Sequence, residues 1–198
     1  MSIALSLLGD VRWRQRAVVG DRPKALFAAL AARGCRAVSA DELIELVWGD
    51  EPPVNGPKSL QVLVSRTRSA CGGDAIVRDG AGYRLGVAPD EVDCVRLAGL
   101  VRDAAAALDG DAALAAELAQ QALALSADLS VPTNGDAGPL AQVRRAAAAE
   151  IDAAWLIRAR ALGRTGQPGD ALAALEAAYA DRPRDESLLA DLLRSEAA

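Results

Sequence analysis

Residues 57–87 read PKSLQVLVSRTRSACGGDAIVRDGAGYRLGV, and the local structure that this stretch predicts decides the fold. Pro57 suits the first turn of a helix, where an N–H would have no partner, and the helix is predicted to run to about Cys71. Residues 75–87 then predict two strands around the turn at Asp79-Gly80-Ala81-Gly82. The stretch therefore predicts a helix that is followed at once by a β-hairpin.

The residues before this stretch predict three short strands and two further helices. Residues 3–19 alternate apolar and polar side chains around turns, which is typical of half-buried strands. Residues 25–32 have helical spacing, and Ser39 with Glu42 predicts a capping box at the start of the next helix. Three strands, three helices and a hairpin make an α+β winged helix-turn-helix domain, which we assign to residues 1–91.

An all-α domain is predicted for residues 92–198, which are alanine-rich and helical in pattern. Part of it has the residue spacing of a tetratricopeptide repeat, in which large and small residues alternate across a helix pair. An ordinary helical hairpin remains the alternative. The matching positions are Trp155, Ala159, Leu162, Gly166, Ala171, Leu175, Ala178 and Pro183. The pattern ends about one helix into another repeat, so either this domain is short or the chain is a segment of a longer protein.

Composition excludes several classes of protein. Of the 198 residues, 52% are hydrophobic and 25% charged, which rules out a disordered chain. The sequence has no histidine and only three cysteines without a CxxC pair, so we expect no metal, no cofactor and no enzymatic activity. It also has no signal-like start and no apolar run long enough for a membrane span, so we expect a cytoplasmic protein that does not associate with membranes.

Charge is distributed unequally between the two predicted domains. Residues 1–92 carry 12 Lys and Arg against 11 Asp and Glu, whereas residues 93–198 carry 10 against 16. A near-neutral first part and an acidic second part indicate two modules with different partners.

The helix at 57–71 carries the candidate DNA-binding residues. At about 100° per residue, its core face contains Leu60, Val64, Thr67 and Cys71. Arg66 on the opposite face could contact guanine through two hydrogen bonds, and Val62 could contact a thymine methyl group. A solvated helix face is the alternative, which the following hairpin disfavours. The candidate residues are Lys58, Gln61, Val62, Ser65, Arg66, Arg68 and Ser69 on the helix, with Arg78 and Arg84 on the hairpin; Lys58 and Arg68 suit phosphates.

Four segments resemble the SARP family of antibiotic regulatory proteins. They are Leu7-Leu8-Gly9, residues 43–53 with Leu46-Val47-Trp48-Gly49-Asp50-Glu51-Pro52-Pro53, residues 60–66 (LQVLVSR), and Gly82-Tyr83-Arg84-Leu85. Members of that family join an OmpR/PhoB-type winged helix to a bacterial transcriptional activation domain of tetratricopeptide-like helices. The resemblance implies an activator that binds repeated sites in promoter DNA and recruits RNA polymerase, with a homodimer on DNA as a candidate assembly.

Two positions depart from the family pattern. Thr67 stands where leucine is usual, and Asp79 stands where the wing commonly has arginine. Asp79 would repel phosphates, and it keeps open the alternative of a helical protein-interaction module whose DNA binding is weak or lost. The leading interpretation is a sequence-specific DNA-binding transcriptional regulator. Three further arginines, Arg12, Arg14 and Arg16, are interpreted as the solvated edge of the first strands.

Overall fold

The computed structural model describes residues 2–133 and 135–181, and its first elements are three short strands. Strands β1 (Leu5–Ser6), β2 (Arg12–Trp13) and β3 (Arg16–Ala17) form an antiparallel sheet in that order. Trp13 is fully buried and stacks on Phe27, with ring centroids 5.5 Å apart. This contact attaches the small sheet to the hydrophobic core.

Three helices follow, α1 (Asp21–Ala32), α2 (Ala40–Trp48) and α3 (Gly56–Cys71). Ser39 caps α2 as predicted, because its Oγ accepts a hydrogen bond from the N–H of Glu42 at 3.2 Å. The Glu42 carboxylate, which the sequence assigns to a capping box, instead accepts a hydrogen bond from Nε of Arg33 at 2.8 Å. Only the Ser39 half of the predicted cap is therefore confirmed.

A second sheet contains the hairpin of β5 (Ile76–Asp79) and β6 (Gly82–Leu85), which we call the wing. Strand β4 (Val38–Ser39), which the sequence did not predict, pairs with β6, so the strand order is β4-β6-β5. A Cβ atom on Gly82 would lie 2.1 Å from the carbonyl oxygen of Val38, so only glycine fits there. The wing is thus held on its inner edge by a strand from the α1–α2 connection.

The chain divides into two compact units whose limits differ from the boundary predicted between residues 91 and 92. The first unit contains Met1–Arg96 and also Asp128–Ala147, and the second contains Leu97–Ala127 and the residues from Ala148 onward. Two segments beyond the predicted boundary therefore belong to the first unit. Both of them bind the backbone at Leu7-Leu8-Gly9, which we call the anchor stretch.

The first of these segments binds the anchor stretch through Asp93. This residue begins α4 (Asp93–Ala107) and is 6% exposed. Its Oδ2 accepts hydrogen bonds from the N–H groups of Leu7 and Leu8 at 2.8 and 3.0 Å. Burial raises the pKa of the Asp93 carboxyl above its ordinary value, while these N–H donors oppose the rise.

The second segment binds the anchor stretch through Arg144. Its Nε donates to the carbonyl of Leu7 at 3.0 Å, and its Nη2 donates to the carbonyl of Gly9. The N–H of Ser130 donates to the carbonyl of Leu8 at 2.9 Å. These bonds join residues more than a hundred positions apart, which a local sequence pattern does not reveal.

The described residues of the second unit form helices joined by short turns. It contains α4 from Leu97, α5 (Ala112–Leu125), α6 (Gly138–Arg164) from Ala148, and α7 (Pro168–Asp181). Five positions of the predicted repeat, Trp155, Ala159, Leu162, Ala171 and Leu175, lie in α6 and α7, with Gly166 in the connecting turn. Ala159, Ala174 and Leu175 form a buried cluster against which Trp155 packs. The Ala178 side chain and Pro183 lie outside the described residues.

No helix in the described residues combines the length and apolar character needed to cross a membrane. The same residues contain no group of three or more His, Cys, Asp or Glu side chains placed to hold a metal ion.

Candidate nucleic-acid interface

Helix α3 lies against the core through the face that the sequence predicts. Leu60, Val64 and Thr67 are buried, Leu63 joins them, and Cys71 is half-buried. The Oγ1 of Thr67 donates to the carbonyl of Leu63 at 2.8 Å. Threonine at the usual leucine position therefore leaves no unsatisfied hydroxyl in the core.

The opposite face of α3 is exposed to solvent. Asn55 caps the helix by accepting a hydrogen bond from the N–H of Lys58 at 3.1 Å. The side chains of Lys58 and Arg66 have no hydrogen-bond or ion-pair partner within residues 2–133 and 135–181, so both charges are available to an external group. The exposed candidates on this face are Lys58, Gln61, Val62, Ser65, Arg66 and Ser69.

Arg68 differs from these residues because the fold already uses part of its guanidinium group. It is half-buried, and its Nε donates to the carbonyl of Ile76 at 2.8 Å. This bond connects α3 to the first strand of the wing. The predicted phosphate contact would have to come from the other N–H groups of Arg68.

The two arginines of the wing also differ from each other. Arg78 is exposed, and the part of the chain that the structure describes offers its side chain no partner. The Nε of Arg84 lies 3.2 Å from Oδ2 of Asp79, and its Nη1 donates to the carbonyl of Leu85 at 3.0 Å. The charge of Arg84 is thus paired inside the wing, whereas that of Arg78 is not.

Sequence reasoning missed the pairing of Asp79 with Arg84. Val77 is opposite Arg84 and Asp79 is opposite Gly82, so Asp79 and Arg84 are diagonal neighbours on one face of the hairpin. The signal was present in the sequence. Once Gly80 and Ala81 are taken as a two-residue turn, the register places these two side chains together.

A cleft of about 400 Å³ separates α3 from the wing. One wall is helical and the other contains Tyr83 of β6, which is nearly buried. The cleft brings together four of the predicted helix residues, which are Gln61, Ser65, Arg68 and Ser69. Its lining is Gln61, Val64, Ser65, Arg68, Ser69, Gly73 and Tyr83.

Comparison with known proteins identifies the family of this chain. No family model matches the sequence. The chain is 34% identical over 150 residues to the regulatory protein AfsR of Streptomyces coelicolor, a match that covers 73% of this chain and 15% of AfsR. It is 36% identical over 110 residues to the transcriptional regulator RedD of the same organism, which covers 52% of this chain and 31% of RedD. The chain belongs to the SARP family.

The SARP resemblance found in the sequence is thereby confirmed, and a solved structure agrees with the fold. EmbR of Mycobacterium tuberculosis, in complex with a low-affinity phosphopeptide, superposes with a TM-score of 0.73 at 23% identity. This match covers 98% of the present chain and 54% of the EmbR chain, and it supports a mixed α/β part followed by a helical part. The chain spans less than a third of the length of AfsR and RedD.

Proposed function

We propose that this SARP chain is a transcriptional activator that binds promoter DNA through α3 and the wing. The observation that supports the proposal best is the exposed face of α3, where Lys58 and Arg66 have no partner among the residues that the structure describes. An α-helix fits the major groove, and an arginine there pairs with guanine through two hydrogen bonds. Arg78 of the wing would contact the neighbouring phosphate backbone.

Binding to short DNA duplexes at increasing salt tests the proposal. Duplexes selected from a random-sequence library supply a preferred site, and an unselected duplex supplies the reference. A DNA-binding protein loses affinity steeply as salt rises, because phosphate contacts release counterions. A salt-independent or absent interaction would favour the alternative of a protein-interaction module, for which the internal pairing of Arg84 is the supporting contact.

Arg66→Ala is expected to weaken binding to the preferred site by about 1–3 kcal/mol and to relax its sequence preference. Arg12→Ala is the matched control, because Arg12 is also partly exposed and its partner, Asp10, lies outside α3 and the wing. Equal losses on preferred and unselected duplexes would make Arg66 a phosphate contact. An unchanged affinity would refute the assignment of α3 as the reading helix.

The helical unit is proposed to contact RNA polymerase rather than DNA. Residues 93–198 have a net charge of −6, which repels a polyanion. Deleting all these residues would not isolate this role, because Asp93 and Arg144 belong to the first unit. A substitution inside the second unit is therefore the better test.

Ala171→Leu provides that test. Ala171 is 2% exposed, so leucine would overpack the helix pair at a cost of about 1–3 kcal/mol. We expect transcription from a bound promoter to fall much more than binding of a single site, with both measured on the same DNA fragment. Equal losses in the two assays would refute a separate activation role for the helical unit.

A further inference from the structure

The turn between β2 and β3 has an unusual backbone conformation. Trp13 pairs with Arg16, so Arg14 and Gln15 are the two central residues of the turn. Their φ angles are +45° and +69°, a left-handed pair that usually requires glycine or asparagine. Side chains larger than glycine are strained in this region. The strain is consistent with a functional role for Arg14, whose side chain the turn orients.

The turn directs Arg14 toward the base of the wing. Its Nη2 lies 2.7 Å from Oδ2 of Asp74, and its guanidinium carbon lies 5.5 Å from the centre of the Trp13 ring. Arg14 is thus held by an ion pair and by a cation–π contact with a fully buried tryptophan. This differs from the solvated edge that the sequence predicts for the three strand arginines.

Asp74 lies between the end of α3 and the start of the wing, and its side chain is 52% exposed. A Cβ on Gly86, directly after β6, would lie 1.7 Å from the Asp74 carbonyl oxygen. A Cβ on Gly72, at the end of α3, would lie 2.8 Å from Oδ1 of Asp74. Only glycine fits beside the Asp74 backbone at position 86, and the N–H of Gly86 donates to the carbonyl of the adjacent Ala75 at 3.1 Å, so the backbone at Asp74 is attached to the root of the wing.

We propose that Arg14 and Asp74 are positioning residues of the DNA interface. Their ion pair attaches the root of the wing to the N-terminal sheet, while the bond from Arg68 to Ile76 attaches the wing to α3. Together these contacts fix the wing beside the reading helix. The inference rests on the proposed DNA binding, and it assigns neither Arg14 nor Asp74 a contact with DNA.

Opposite changes in charge separate positioning from simple electrostatics. Arg14→Ala removes a positive charge and Asp74→Asn removes a negative one, so a purely electrostatic effect would weaken DNA binding in the first variant and strengthen it in the second. Loss of a positioning contact weakens binding in both. An exposed ion pair contributes at most about fivefold to an equilibrium constant, so we expect losses of roughly two- to fivefold.

The measurement is the affinity of the full chain for its selected duplex, with the thermal unfolding midpoint recorded for each variant. Arg14→Lys keeps the ion pair and should restore most of the affinity, as should the reversed pair Arg14→Asp with Asp74→Arg. The control is Arg12→Ala, which makes the same charge change in the same sheet but removes an ion pair to Asp10. It should leave the affinity within twofold.

A double-mutant comparison tests whether the effect passes through the wing. Once Arg78→Ala has removed the wing contact, Arg14→Ala should have little further effect, whereas with Arg66→Ala the losses should multiply. Stronger binding by Asp74→Asn, or a full effect of Arg14→Ala beside Arg78→Ala, would overturn the inference while leaving DNA binding intact. A wild-type chain that does not bind duplex DNA would overturn both.

Discussion

Replacing Arg144 by methionine should destabilise the first unit, although Arg144 lies far along the chain from the elements of the predicted winged helix. The substitution keeps most of the aliphatic chain and removes the guanidinium group. Arg144 donates to the carbonyls of Leu7 and Gly9, so both acceptors lose their partner. The positive charge near the buried Asp93 carboxylate is lost as well.

The size of the effect follows from these contacts. A hydrogen bond that involves a charged group contributes about 1.5–3 kcal/mol when it is buried, and less when water reaches it. Arg144 is half-buried, so the two bonds together should contribute about 2–3 kcal/mol rather than the full sum. For a chain of this length, that loss corresponds to a decrease of roughly 5–10 °C in the midpoint of thermal unfolding.

Tryptophan fluorescence can follow the first unit alone. The chain has three tryptophans, and Trp13 and Trp48 lie in the first unit while Trp155 lies in the second. In a Trp155→Phe background, urea unfolding of Arg144→Met therefore reports the first unit. Arg145→Met is the control, because the neighbouring Arg145 is exposed and, within residues 2–133 and 135–181, donates only to the carbonyl of Asp136. If Arg144→Met and Arg145→Met unfold within about 0.5 kcal/mol of each other, the anchoring role is refuted.

Two other contacts give predictions of known sign. Asp79→Ala removes a negative charge from the wing and frees Arg84, so DNA affinity should rise and its salt dependence should steepen by about one phosphate contact; unchanged binding would mean that the wing does not approach DNA. The raised pKa of Asp93 means that the folded state holds this proton more tightly than the unfolded state. The stability that it contributes is therefore complete below the ordinary aspartate pKa and is lost as pH rises through the folded value. Relative to Asp93→Asn, the wild-type free energy of unfolding should fall over that interval, and a constant difference between the two unfolding curves would contradict it.

Local signals in the sequence predict the elements of the first unit well. Pro57, Ser39 and the Gly80-Ala81 turn each act within a few residues, so helix starts and the hairpin can be read directly. Strand β4 cannot be predicted from the sequence, because two residues are too few to show an alternating pattern. It is a strand only through its pairing with β6. The segment Asp128–Ala147, which contains Arg144, cannot be assigned to the first unit from the sequence for a similar reason. Its partners are backbone carbonyls that come close only in the folded chain.

The candidate site likewise has features that the sequence predicts and features that depend on the tertiary structure. Periodicity correctly predicts which α3 residues face away from the core, because helical geometry alone decides that. It cannot predict which exposed cations are already paired. Arg68 and Arg84 have partners in the described part of the chain, whereas Arg66 and Arg78 have none there, and this difference depends on tertiary distances.

The contacts of the anchor stretch limit how far the first unit can fold during its synthesis on the ribosome. Arg144 and Leu7 are separated by 137 positions, so the contact between them cannot form until residue 144 has left the exit tunnel. Translation proceeds at about 5–20 residues per second, so the roughly 50 residues after Arg96 take about 3–10 s to synthesise. During that interval the nascent winged helix lacks the segment that binds the carbonyls of Leu7, Leu8 and Gly9. These carbonyl acceptors therefore stay exposed to solvent until the segment that binds them, which follows α4 and α5 in the chain, has been synthesised.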